Sequence, residues 1–277
     1  MKKIFISFFL LGFFCTSAQK IIGNVSFRSQ EYSSKLLDKS IQNFYYNLKF
    51  VSDKENNQNK REAIYILEVG DKYSKFTEVN NLKLDSLYYK FSLLSSVGSK
   101  EINETFNFKT YSKLVLLKNN DSLKNIFQNS IIYTYQYIAD KPHFNWKLEK
   151  GYKEILGYKC QKATVKYGGR KYIAWYANDI PINNGPYVFQ DLPGLILNLE
   201  SEDGDYSFNL IGMDKIPKDI YIRNDKKIIN TTIDKFKIVE KSYHDNPGFY
   251  IGKAYDENMN ETMVKSQSIP YNPIELD

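Results

Sequence analysis

The chain has 277 residues, 42% of them hydrophobic and 16% aromatic, with 38 Lys and Arg against 32 Asp and Glu and a formal net charge of +6. The charges are interspersed rather than gathered into a polybasic arm. Only Arg28, Arg61, Arg170 and Arg223 carry the planar fork that phosphate and base-edge readers use, which argues against a nucleic-acid partner.

The first residues predict a secretory signal over 1–18. Lys2 and Lys3 form a charged start, Ile4 to Phe14 is an apolar run too short to span a bilayer, and Thr16 and Ala18 sit at the small-residue positions for cleavage before Gln19. Lipid attachment at Cys15 would need small residues just before it, where Phe13 and Phe14 stand. The mature chain, 19–277, is then a single β-rich domain whose lone thiol is Cys160, so it must hold together by its core without an intrachain disulfide. A chain of this size buries roughly 70 to 75% of its unfolded surface, which suffices. No later apolar run reaches spanning length, so the mature chain is expected to have no transmembrane span and at most peripheral membrane contact.

In chain order, Leu36, Leu37, Ile41 and Phe44 fall at helical spacing and predict a helix over Ser33–Phe44. The two-residue period of half-buried strands follows at Phe44, Tyr46, Leu48 and Phe50, and at Tyr65, Leu67 and Val69. Residues 56–60 and 98–104 are polar and predict loops. Leu114–Leu117 and Ile131–Ile138 are β-rich runs, with a short capped helix predicted over Asp121–Asn129 between them. Gly168 and Gly169 supply the positive φ of a hairpin leading to Tyr172, Ala174 and Tyr176. Asn184 and Gly185 form a turn between Pro181 and Pro186, and Asp203, Gly204 and Asp205 form another before Tyr206, Phe208 and Leu210. Ile233–Val239 is a weaker strand, and 241–277 a less regular tail. The fold class is mainly β: a single curved antiparallel sheet or half-barrel with one or two short helices.

Chemistry-bearing constellations are sparse. His143 and His244 lie far apart without metal-ligand spacing, so no metal or cofactor is expected. No nucleophile elbow or thiol-protease signature occurs, and Cys160 in a strand context reads as a small buried hydrophobe. Asp203 and Asp205 resemble a fragment of a calcium loop but lack its remaining ligands and read as a turn. No catalytic residue is assigned. What remains is an aromatic, proline-punctuated block over residues 146–213. Trp146, Trp175, Tyr176, Tyr187 and Phe189, with Leu192, Pro193 and Leu195 of the next turn, could line an apolar ligand cleft or fill the core beneath a curved sheet. Pro193 removes a ladder donor and Gly194 permits a bend before the apolar strand Leu195–Leu199.

The block from Trp146 to Glu200 resembles the signature region of the GLPGLI family of exported bacterial proteins. The residues that carry the likeness are Trp146, the run Ile155-Leu156-Gly157-Tyr158-Lys159-Cys160-Gln161-Lys162-Ala163, Ala174-Trp175-Tyr176, Ile180-Pro181, Gly185-Pro186 and Leu192-Pro193-Gly194-Leu195-Ile196. Tyr271-Asn272-Pro273-Ile274-Glu275-Leu276 resembles the family's usual ending. Asp191 stands where the name motif has its first glycine, and Asp accepts left-handed geometry better than most residues. The strand order also resembles, more distantly, periplasmic lipoprotein-carrier half-barrels.

That resemblance implies an exported location (periplasm, outer-membrane surface or secreted) in a Gram-negative bacterium, and no catalytic residue to carry over. The leading expectation is a non-enzymatic cell-envelope protein that binds an apolar, lipid-like ligand or a partner protein. The alternatives are an envelope hydrolase or its accessory, using acids such as Asp191, Glu200 or Asp203, and a surface-assembly or transporter-docking protein.

Overall fold

The structure, a computed structural model, describes residues 20–276 apart from 22, 59, 252–253, 256–260 and 263–266. The signal segment and its cleavage site therefore lie outside the described residues. The strands are β1 (Ser26–Arg28), β2 (Ser34–Val51), β3 (Lys60–Gly70), β4 (Tyr73–Glu78), β5 (Ser96–Gly98), β6 (Val115–Asn119), β7 (Lys124–Ser130), β8 (Thr134–Asp140), β9 (Lys147–Ile155), β10 (Tyr158–Tyr167), β11 (Arg170–Ala177), β12 (Leu195–Ser201), β13 (Tyr206–Asp214), β14 (Asp219–Arg223) and β15 (Ile229–Asn230), with a further two-residue pair at Ala254–Tyr255 and Glu261–Thr262. The helices are α1 (Val79–Ser92), α2 (Ser99–Thr105), α3 (Ile233–Asp245) and the single turn α4 (Gly248–Ile251). The described residues are thus mainly β, with 46% of them in strands and 17% in helices.

One open sheet carries the fold, in the order β15-β8-β7-β6-β4-β3-β2-β13-β12-β11-β10-β9. It is two antiparallel meanders, β2 to β8 and β9 to β13, joined by the ladder between β2 and β13. β14 continues along the same side of β2 where β13 leaves it, pairing with residues 34–39. Alternation builds the inner face: Phe44, Leu67, Phe76, Leu116, Phe127 and Tyr137 are direct neighbours across six strands and are all buried. The second meander and the 180–196 segment contribute Cys160, Ala163, Tyr172, Ala174, Phe189, Leu192, Leu197 and Phe208 to the same core. On the opposite face, Ile220 and Ile222 of β14 pack with Leu117, Leu37 and Ile126.

Four local expectations give way to tertiary pairing. Ser34–Phe44 is the first part of the 18-residue strand β2, and its helical stripe does not pack as one: Leu36 and Ile41 are 56% and 59% exposed. Pairing with β14 on one side and β3 on the other supplies more backbone partners than an isolated helix would. Residues 124–130 form β7 between β6 and β8 instead of a helix. Ile233–Val239 lies inside α3, capped by Thr232, whose hydroxyl accepts the Lys235 N–H, and Phe236 is the side chain it buries. Residues 99–105 are helical, with Glu101 accepting the Gly98 N–H. Helix α1, absent from the sequence expectations, buries Asn81, Leu84 and Phe91.

Candidate functional site

The signature block is positioned by the β10–β11 hairpin, whose Gly168 and Gly169 have φ of 53° and 70°. Two consecutive left-handed residues match the twist of the strands they join. After β11 the chain is tied back on itself: Ile180 N–H donates to Ala177 O at 3.2 Å, and Leu195 N–H to Ile180 O at 3.0 Å. Asp191 has φ 73°, in the left-handed region that Asp accepts better than most residues. Its carboxylate accepts the Phe144 N–H at 3.2 Å and its own N–H donates to Asn183 Oδ1 at 2.5 Å. His143 Nδ1 lies 3.6 Å from the same carboxylate.

Beneath this loop Lys118 is buried and donates from Nζ to Asn184 Oδ1 at 2.8 Å, Gly185 O at 3.1 Å and Phe189 O at 3.4 Å. Burial, with Lys141 nearby, pulls its ammonium down to about 7, and Asp191 opposes the shift. Asn184 donates in turn to Ser74 Oγ at 3.0 Å.

Above the hairpin lies the C-terminal segment, residues 271–276. Arg170, with a side chain 1% exposed, is held by Asp203 and by Asp205 at 2.8 Å, and its second terminal nitrogen donates to Asn272 Oδ1 at 2.6 Å and Pro273 O at 2.9 Å. Asn272 donates to Val51 O at 2.7 Å and to Asp205 at 3.0 Å. Tyr206 and Tyr172 donate to the carbonyls of Asn272 and Ile274 at 2.5 and 3.0 Å. Tyr167 and Tyr187 both donate to Glu275 Oε1, at 2.8 and 2.6 Å, and the Leu276 N–H reaches Gly168 O at 2.9 Å. Burial first, and then the Glu275 charge, holds the Tyr167 and Tyr187 hydroxyls well above their ordinary range, so they stay protonated and donate to the carboxylate.

The eight residues proposed for an apolar cleft are placed differently from one another. Tyr176, Tyr187, Phe189, Leu192 and Leu195 are buried, Trp146 and Trp175 are half-buried and Pro193 is exposed. Phe189 is the hub, with ring centroids 4.6 Å from Tyr172, 5.1 Å from Phe144, 5.5 Å from Tyr167 and 6.3 Å from Trp146, and the Trp146 indole donates to Gln190 O at 2.7 Å. Phe189 is thus packed among rings of the sheet, and Trp146 covers its edge. Cys160 is likewise fully buried, and burial pushes its thiol up to about 11. Of the acids considered, Asp203 is bound by Arg170 and Ser201, Glu200 accepts from Asn198 at 2.9 Å and Asp191 holds the loop. Among the described residues no group of three His, Cys, Asp or Glu side chains is placed to hold a metal ion.

Two open clefts lie elsewhere, and none of the eight residues lines either. One, of about 540 Å³, is bounded by Gln42, Tyr158, Asp179, Ile180, Pro181, Ile182, Met213, Asp214 and Lys215. Burial raises the Asp214 carboxyl, but hydrogen bonds from Asn43, Tyr45 and the Ile216 N–H outweigh it and hold the group ionised below its usual range. The other, of about 440 Å³, includes Glu62, Glu78, Lys83, Lys109 and Tyr111. Glu78 is pushed up by burial, against the Tyr111 and Ser112 N–H groups that it accepts at 2.9 and 3.1 Å. Sequence reading missed Arg170, Lys118 and Asn272. The signals present were the scarcity of arginine and the Tyr271–Leu276 ending itself.

Residues 168–198 match the model of a family described as a protein of unknown function (Porph_ging). No curated protein matches the chain in sequence. Two solved structures, of PNGF-II in the P21 and C2 space groups, are each 16% identical, with TM-scores of 0.49 and 0.48 over 73% of this chain. The chain spans only about a third of their length, 33% and 32% respectively. Among the described residues no helix is long and apolar enough to cross a membrane.

Proposed function

We propose that the chain is an exported envelope protein that binds a partner protein without catalysing a reaction, using the cleft beside the signature turn. The observation that carries this reading is the composition of that cleft: Ile180, Ile182, Pro181 and Met213 form an apolar floor, and Asp179, Asp214 and Lys215 supply charge at its rim. An open, mixed surface of this kind suits a side chain of a partner better than an enclosed lipid tail. The burial of Tyr176, Tyr187 and Phe189 supports the same choice, since these rings are not open to a ligand. The likeness to the GLPGLI family supports export and an envelope location.

A photo-reactive residue at Lys215 is the test. Irradiation of envelopes should give one discrete protein adduct, and the same residue at Lys150, on exposed β9, should not. Native and denaturing mass spectra of residues 19–277 should agree. A stoichiometric lipid-sized mass lost on denaturation would replace this reading with the carrier one.

A second reading is favoured by one observation at the other cleft. Glu78, raised by burial, and Glu62, held low by Lys49 and Asn47, line the same depression, and carboxylates pushed apart in this way can serve as acid and base. A hydrolase of this design loses turnover of a model glycoside on Glu62→Gln while keeping its fold.

A further inference from the structure

The residues that hold 271–276 read a peptide. Arg170 and four tyrosine hydroxyls, 66 to 108 residues upstream of their acceptors, address the side chain of Asn272, the main-chain carbonyls of Asn272, Pro273 and Ile274, and the carboxylate of Glu275. Side-chain readout at two positions with main-chain readout between them is how extended segments are recognised selectively.

Part of this surface is held by contacts made outside 271–276. Arg170 is oriented by Asp203 and Asp205, and Asp203 is itself bonded by the Ser201 hydroxyl at 2.6 Å and the Asp205 N–H at 3.1 Å. Tyr167 and Tyr172 are fixed by the Phe189 ring, and the Gly168–Gly169 turn by its own dihedrals. A Cβ at Gly168 would come within 2.9 Å of the Glu275 side chain and one at Gly169 within 3.0 Å of Leu276, so the turn also clears the floor for this segment. A site whose parts are held by their own neighbours loses less to reordering when its ligand arrives from elsewhere.

We propose that the β10–β11 turn, Tyr187, Tyr206 and Arg170 form a peptide-recognition site, loaded here by the chain's own residues 271–276, that accepts the same segment from a second copy. Recognition requires Asn and Glu three residues apart, with main-chain carbonyls read between them. Lys237, 3.8 Å from Glu275, and Glu240, which accepts from Tyr271 at 3.0 Å, extend the site onto α3.

The test uses the full chain with a protease site placed within 256–260, cut after folding, and a fluorescent peptide of residues 268–276. The C-terminal fragment should remain bound through gel filtration and exchange with the labelled peptide in a saturable, single-site titration. The uncut chain should bind at least tenfold less at the same concentration. Asn272→Ala or Glu275→Ala in the peptide should each weaken capture about tenfold or more, with the acceptor's fold untouched. Immediate loss of the fragment without peptide binding by a chain with native circular dichroism would overturn the proposal, and so would equal binding by cut and uncut chains. If cutting melts the chain, an uncut N272A/E275A chain replaces it as acceptor, and selective or absent capture decides in the same way. The site is separate from the cleft at Lys215, so failure of one leaves the other standing.

Discussion

Gly194→Ala is the sharpest probe of the signature turn. A Cβ at Gly194 would lie 2.0 Å from Ala177 O, 2.6 Å from its carbonyl carbon and 2.9 Å from Asn178 N. These are backbone atoms at the end of β11, where Ala177 pairs with Leu195, so no side chain can swing aside. Relief requires a shift of about 1 Å, which strains local packing by about 1 to 3 kcal/mol and breaks the bond from Ile180 N–H to Ala177 O, worth about 1 kcal/mol more. The expected loss is about 2 to 4 kcal/mol, a large share of the about 5 to 15 kcal/mol that holds a typical domain, and should lower the urea midpoint by roughly 1 M. Pro193→Ala, at an exposed neighbour, should move the midpoint far less. Gly204→Ala meets no atom but has φ +76°, and should cost about 1 to 2 kcal/mol through backbone geometry alone. A Gly194→Ala chain within about 1 kcal/mol of the parent would refute the steric argument.

Arg170→Ala leaves Asn272 Oδ1 and Pro273 O without their donor and Asp205 with only the Asn272 amide and Lys54, and should cost about 3 to 5 kcal/mol, with residues 271–276 opened to proteolysis; a segment that stays protected would contradict the clasp. Lys118 has a folded pKa below its unfolded one, so its buried charge opposes folding most below about pH 7 and the penalty is relieved as pH rises toward the unfolded value. Unfolding free energies should therefore show the parent gaining on the order of 2 kcal/mol relative to Lys118→Met between pH 7 and 9, whereas a pH-independent difference would show that this amine does not titrate there. Cys160, buried with its thiol raised to about 11, should resist iodoacetamide at pH 8 in the native chain and react only in denaturant, as followed by intact mass.

Strands with aromatic alternation were legible because the row through Phe44, Leu67, Phe76 and Leu116 needs an apolar residue at every second position. The first half of β2 was not, since Leu36, Leu37 and Ile41 fit a helical stripe and the strand's partner β14 lies far downstream. Helix α1 hid for the opposite reason: its buried face includes Asn81, which donates to Ser112 O at 2.8 Å, so its stripe is partly polar. The turn glycines at 168 and 169 were readable from local chemistry alone. The clasp was not, because nothing in Tyr271–Leu276 names Arg170 as its partner, and pairings over such separations exist only once the sheet has formed. The aromatic block was visible as composition, but whether its rings face a ligand or one another is decided by Phe189 at their centre.

The order of the ladders also sets an order in time. The meander from β2 to β8 closes mostly through neighbours in sequence, and so does the one from β9 to β13, but the seam between them waits for residues 206–214 to find β2. Such distant pairing pays its loop-closure entropy late and is slow. Residues 271–276 then bind both Arg170 on β11 and Val51 on β2, straddling that seam. Residues 271–276 therefore staple the two halves, and a chain lacking them would carry both meanders with their junction unsealed.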